Sequence, residues 1–147
     1  MNADPVLESL AEQVACYRKL TKLALIQHQH IQNARTEDLL MVLKDRQAVL
    51  DQIAAHERVI APAKQQWGEF LAALGPEHRR KAEALLAETK TLLEQITNAD
   101  RNDVMVLQQR KINLGRKIVQ TSNAKTVNRN YAAAAYGAAR PRMDLQT

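Results

Sequence analysis

"KAEALLAETKTLLEQITNADRNDVMVLQQRKINLGRKI", residues Lys81 to Ile118, decides the architecture. Ala82, Leu85, Leu86, Thr89, Leu92, Leu93, Ile96, Asp100, Asp103, Leu107, Lys111, Leu114 and Ile118 recur at steps of three and four, the spacing that lines one face of a helix. The stretch holds no proline, so it predicts one continuous helix from Pro76 to about Gln120. Its stripe turns polar between Asp100 and Lys111, and Gly115 weakens the helix by about 1 kcal/mol relative to alanine. The far end of this helix is therefore expected to be held less tightly than its beginning.

Upstream, "LGPE" supplies Gly75 as a stop and Pro76 as a first-turn proline. Before it, "NARTEDLL" reads as a helix start, with Thr36 as cap and Glu37 and Asp38 placed to favour the helix dipole. Leu39, Val42, Leu43, Arg46, Leu50, Ile53, Glu57 and Ile60 form its face, and Pro62 predicts a kink near Ala61 before the helix resumes to about Leu74. A first helix runs from about Asp4, a plausible cap ahead of Pro5, to Gln32, with Leu7, Leu10, Ala11, Val14, Tyr17, Thr21, Ala24, Leu25, His28 and Ile31 along one side.

Downstream, "TSNAKTVNRNYAAAAYGAARPR" mixes helix-neutral Asn, Thr and Ser with alanine and carries few large apolar residues. It reads as disordered or partly helical until something binds. No alternating strand pattern of useful length occurs, so the class is all-α: an elongated antiparallel three-helix bundle or coiled coil over residues 1–120, with a mobile C-terminal extension over 121–147.

Composition agrees with that class. Aromatic residues are 3% of the 147, with single Trp67 and Phe70, so the core is built of Leu, Ile, Val and Ala suited to narrow helix seams. Cys16 is alone, which rules out an internal disulfide and gives no reason to place the chain in an oxidising compartment. The N-terminus has acids where a secretory signal needs a basic end, and no run approaches the roughly 18 apolar residues of a membrane span, so a soluble cytoplasmic protein is expected. Charge is divided along the chain. Met1 to Asp103 holds 13 basic and 15 acidic residues, whereas Val104 to Met143 holds eight basic residues and no acid. Such asymmetry points to an acidic partner, a nucleic acid or a membrane surface contacted by that end.

A catalytic set does not assemble from this inventory. The four glycines, Gly68, Gly75, Gly115 and Gly137, are too scattered to cradle a phosphate, and neither Ser9 nor Ser122 sits in a nucleophile elbow. No enzyme activity and no cofactor are expected. His28 and His30 face different ways on a helix, and His56-Glu57 lacks the second histidine of a zinc helix, so His28 reads as half-buried and the others as solvated, with no metal site. Cys16 reads as an inert small hydrophobe, Trp67 with Phe70 as a cap on one bundle end, and Arg79 to Lys81 as a solvated face pairing locally with Glu83 and Glu88.

The stretch from Arg110 to Arg142 could bind nucleic acid, but two tyrosines in an alanine run make a poor stacking platform. As a protein-binding segment it has apolar anchors at helical spacing: Leu107, Leu114, Ile118, Val127 and Tyr131.

The order of features, namely a leucine-rich first helix, "TEDLLMVLKDRQAVLDQI", a glycine-proline turn, "NADRNDVMVLQQRKINLGRKI" and an Asn- and Ala-rich tail with the pair Tyr136-Gly137, resembles the FlgN family of flagellar export chaperones across nearly the whole chain. The resemblance implies a cytoplasmic, non-catalytic chaperone. Its clients would be the C-terminal helical segments of the hook-filament junction proteins FlgK and FlgL, kept unassembled and delivered to the type III export gate. By the same likeness Tyr136 and Gly137 would dock on the cytoplasmic domain of the gate, with no direct membrane insertion and no nucleic-acid partner. The free protein could form a homodimer. A structural coiled-coil adaptor without an export role is the competing reading.

Overall fold

A computed structural model describes residues 3–136, which are all-α, with no strand among the described residues. Among the described residues four helices follow one another: α1 (Ala3–Gln32), α2 (Thr36–Gln65), α3 (Trp67–Ala72) and α4 (Pro76–Tyr136). No described helix is long and apolar enough to cross a membrane. The chain divides into two units, one ending at Asp103 and the other beginning at Val104.

The first unit is built on α1. Its buried residues, Val6, Leu7, Leu10, Val14, Leu20, Ala24 and Ile31 among them, follow the three-and-four spacing read from the sequence. At one end Val6, Leu7 and Leu10 pack with Ile60 and Ala63 of α2, Phe70 of α3, Leu74 and Ala82 of α4. Further along, Cys16 and Leu20 pack with Ile53 of α2 and Ile96 of α4, flanked by Tyr17 and Val49. The beginning of α1 thus meets the end of α2, while α1 and α4 run in the same direction. Cys16 is buried and free, a small core residue.

The turn between α1 and α2 closes with paired bonds: Ala34 N–H donates to Ile31 O at 3.2 Å and Arg35 N–H to His30 O at 2.9 Å. This double bond pattern demands a left-handed residue at its pivot, and Ala34 supplies it at φ 54°. Glycine is the usual occupant there because a Cβ in that conformation crowds the backbone. Thr36 begins α2 as a helical residue, and the cap position falls on Arg35, which makes no side-chain cap bond. The expected Thr36 cap is corrected accordingly.

Two boundaries also differ from the sequence reading. Pro62 lies inside α2, and the break comes four residues later at Gln66, with φ −128° and ψ 50°. Ile60 and Ala63, 0% and 1% exposed, anchor both sides of the proline in the first cluster, so the packed face carries the helix through the missing donor. The break at Gln66 reorients the chain so that Trp67 and Phe70 fold onto Val6, Leu7 and Leu10, their rings stacked at 5.3 Å. They cap the cluster as expected, from a separate short helix. Arg79 closes this end by donating Nε to Leu71 O at 3.0 Å and Nη2 to Leu74 O at 3.2 Å. It serves the Leu71 carbonyl in α3 and the Leu74 carbonyl in the turn that follows, in place of the expected pairing with Glu83 or Glu88.

The second difference concerns α4, expected to end near Gln120, which continues to Tyr136. No proline interrupts before Pro141, and the Ala132 to Ala135 run is the strongest helix former. Residues 121–136 of the anticipated mobile extension are thus helical, and 137–147 lie outside the described residues.

Candidate helix-docking face

The last packed layer of the first unit is polar. Arg46 of α2 donates Nη1 to Asp100 Oδ1 at 2.7 Å and Nη2 to Asp100 Oδ2 at 2.8 Å, and its Nη1 also reaches Gln27 Oε1 at 2.7 Å. Gln27 Nε2 donates in turn to Asp103 Oδ2 at 3.0 Å, and His28 Nδ1 lies 2.8 Å from Asp103 Oδ1. Hydrogen bonding to Asp100 raises the Arg46 guanidinium above its ordinary value, against the opposing effect of burial. Asp103 is 2% exposed, so it depends on these partners for the solvation it has lost. Asp100 and Asp103, expected only to weaken the seam, are held by α1 and α2. His28 is half-buried as expected. His30 and His56, expected to be solvated, are partly covered: His30 Nδ1 is buried without a bond, and His56 Nε2 lies 3.4 Å from Glu12.

A second polar layer crosses α1 and α2. Gln13, 1% exposed, donates Nε2 to Ile53 O at 3.2 Å and to Glu57 Oε2 at 3.0 Å. Lys64 Nζ closes on the same carboxylate at 3.1 Å. Tyr17 stands nearby, its phenol raised above the ordinary value by burial first and by the Glu57 charge second. Gln13, Glu57 and Lys64 are bonded to one another, and no group of three or more His, Cys, Asp or Glu among the described residues could hold a metal. The recess beside the α2–α3 break, lined by Pro62, Ala63, Gln66, Glu69, Phe70 and Ala73, holds about 180 Å³.

The second unit is different in kind. From Val104 onward α4 presents large apolar side chains to solvent, ranging from Leu107 at 43% exposed to Met105 at 62%. Leu107, Leu114, Ile118 and Val127, the expected anchors, are all in this set. Leu107, Leu114 and Ile118 lie on one side of the helix, seven and four residues apart. Val127 lies away from that row, on the far side of the apolar arc. Tyr131 and Tyr136 fall within the helix, but their side chains lie outside the described residues, as does Gly137 altogether.

The sequence reading missed Met105, Ile112 and Val119. All three are exposed, and they recur at intervals of seven on a second side of the same helix. The seven-residue interval is present in the sequence, on a side of the helix that does not continue the buried stripe. Arg110 and Lys117 border the first row, Arg116 borders the second, Lys111, Lys125 and Arg129 fall on the first side itself, and no acidic residue occurs between Val104 and Met143. A surface of this kind can take an amphipathic helix along its length, burying apolar area and pairing cations with carboxylates. No family model, curated protein or solved structure matches this chain.

Proposed function

We propose that this chain is a non-catalytic flagellar export chaperone of the FlgN kind. It acts in the cytoplasm, holding the C-terminal helical segments of FlgK and FlgL unassembled and delivering them to the export gate. The observation that carries the reading is the exposed apolar face of α4 after Asp103, where Leu107, Leu114, Ile118 and Val127 stand unburied on a helix. Unassembled filament-type subunits expose apolar helical faces of their own, and such a face can be covered by an unpaired one. Tyr131 extends the client contact, and Tyr136 with Gly137 forms the gate-docking end. The first unit serves as the body, an elongated antiparallel three-helix bundle, a reading supported by the order in which α1, α2 and α4 meet in its two clusters.

The test is co-purification of the full chain with FlgK and with FlgL, alongside Leu114→Asp combined with Ile118→Asp. The wild type should form the complex and the double variant should lose it. Both should melt at the same temperature, because neither side chain is buried. A fall in melting temperature would assign these residues to a core, and a wild type that binds neither client would end the chaperone reading. Tyr136→Ala should keep the client complex but weaken binding to the cytoplasmic domain of the gate. A structural coiled-coil adaptor would instead self-associate through the same face and ignore both clients.

A further inference from the structure

The two apolar rows of the second unit are not one stripe. With about 100° between successive residues, Leu107, Leu114 and Ile118 centre about 140° around the helix from Met105, Ile112 and Val119. In heptad terms, Val104, Leu107, Lys111, Leu114 and Ile118 occupy one pair of seam positions, and Met105, Gln108, Ile112, Gly115 and Val119 occupy a second, adjoining pair. A facing helix lies at about 8–10 Å and covers one seam, an arc of roughly 100°. Two seams that share a helix are therefore what a helix needs to sit between two others. Gly115 lies between the rows, and a Cβ built there would meet nothing within 4 Å. The middle of the face is open to close approach.

Charge selects the occupant. Lys111 lies within the first seam, Arg116 beside the second, and Lys125 and Arg129 continue the first side. With no acid between Val104 and Met143, a second copy laid along this segment would bring cations against cations, whereas carboxylates on a partner helix would pair with both flanks. We infer that the exposed face of α4 between Val104 and Val127 is a two-seam site that takes a pair of acidic amphipathic helices, such as a helical hairpin, one helix on each row. The inference rests on reading this segment as a surface that receives client helices, and it names the shape and charge of what is received.

The experiment uses the full chain and a synthetic probe. The probe is an acidic amphipathic helix of about 28 residues with leucine at the seam positions and glutamate on the flanks, used singly and as a hairpin of two copies. Calorimetric titration should give two equivalents of the single helix per chain and one equivalent of the hairpin, with the hairpin binding more tightly. Ile112→Ala with Val119→Ala should remove one equivalent of the single helix and weaken the hairpin about tenfold, and Leu114→Ala with Ile118→Ala should remove the other equivalent. Alanine keeps the helix and adds no charge, and circular dichroism checks that helicity is retained. Raising the salt concentration should weaken both events.

One equivalent of the single helix, weakened by either double variant, would overturn the two-seam site in favour of a single groove. A lysine-flanked version of the probe binding equally well would overturn the charge assignment. If the free chain sediments as a dimer that Ile112→Ala with Val119→Ala converts to a monomer, the second row belongs to another copy and the inference falls. A complex with FlgK or FlgL that forms while no probe binds would sink this inference and leave the chaperone reading standing. Two equivalents of probe with no FlgK or FlgL complex would do the reverse.

Discussion

Arg46 grips both carboxylate oxygens of Asp100, 2.7 and 2.8 Å away, across a sequence separation of 54 residues. The fork of the guanidinium matches the carboxylate edge to edge, a geometry lysine cannot reproduce. Because its third contact is Gln27, which holds Asp103, this pair ties α2 and α4 to α1 in one chain of bonds.

Arg46→Ala should therefore destabilise the first unit by about 2 kcal/mol, since it leaves the Gln27 carbonyl and Asp100 without their donor. Arg46→Lys should recover only part of this. Urea unfolding of the full chain, followed by far-ultraviolet circular dichroism, measures both. The Arg46 guanidinium is raised above its already strongly alkaline ordinary value, chiefly by its hydrogen bond to Asp100, so its contribution is fully present at neutral pH and is lost only in strong alkali. The Arg46→Ala deficit should accordingly not be altered by titration of the guanidinium itself near neutrality.

Ala34→Gly should stabilise the protein. Ala34 is the sole non-glycine residue with positive φ among the described residues, and a left-handed alanine costs roughly 1–2 kcal/mol. Glycine gives back part of the gain through the greater freedom of the unfolded chain, leaving a net increase of about 0.5–1 kcal/mol. A rise of a few degrees in melting temperature is expected, and no change or a fall would mean that the turn carries no strain.

Tyr17 governs part of the alkaline behaviour. Its phenol is raised above 10.0 by burial and by Glu57, so the folded state favours the protonated form more than the unfolded state does. Its contribution is present below pH 10.0 and is lost as pH rises from there through the higher folded value. Tyr17→Phe should lose less stability than the wild type between about pH 8 and about pH 11, measured as the shift in urea midpoint. Equal losses would show that other groups account for the alkaline transition.

Much of this fold could be read in the sequence because its signals are local. Pro76 marks the start of α4 as expected, and the three-and-four spacing of Leu7, Leu10, Val14 and Ile31 identifies the buried face of α1. What escaped depends on distant partners. Pro62 is the conspicuous breaker, yet the chain bends at Gln66, where the ring stack of Trp67 and Phe70 is drawn toward Val6 and Leu10. Asp100 and Asp103 look like flaws in an apolar stripe until Arg46, Gln27 and His28 come alongside. In the second unit, the exposure of Leu107, Leu114 and Ile118 followed from the polar interruption ahead of them. The Met105 row was overlooked because it does not continue the buried stripe.

The two polar layers stand on either side of the cluster formed by Cys16, Leu20, Ile53 and Ile96, with Gln13 at one margin and Gln27 at the other. Leucine-rich helices tolerate sliding, because one apolar side chain replaces another at little cost. Here a slip of α1 by a single turn, about 5.4 Å, would part Gln13 from Glu57 and Gln27 from Arg46 and Asp103 in the same movement. Each margin would be left with a buried polar group facing hydrocarbon, so the penalties would fall together. The glutamines thus fix the register of α1 against its neighbours at both margins, a choice that the leucines between them could not make alone.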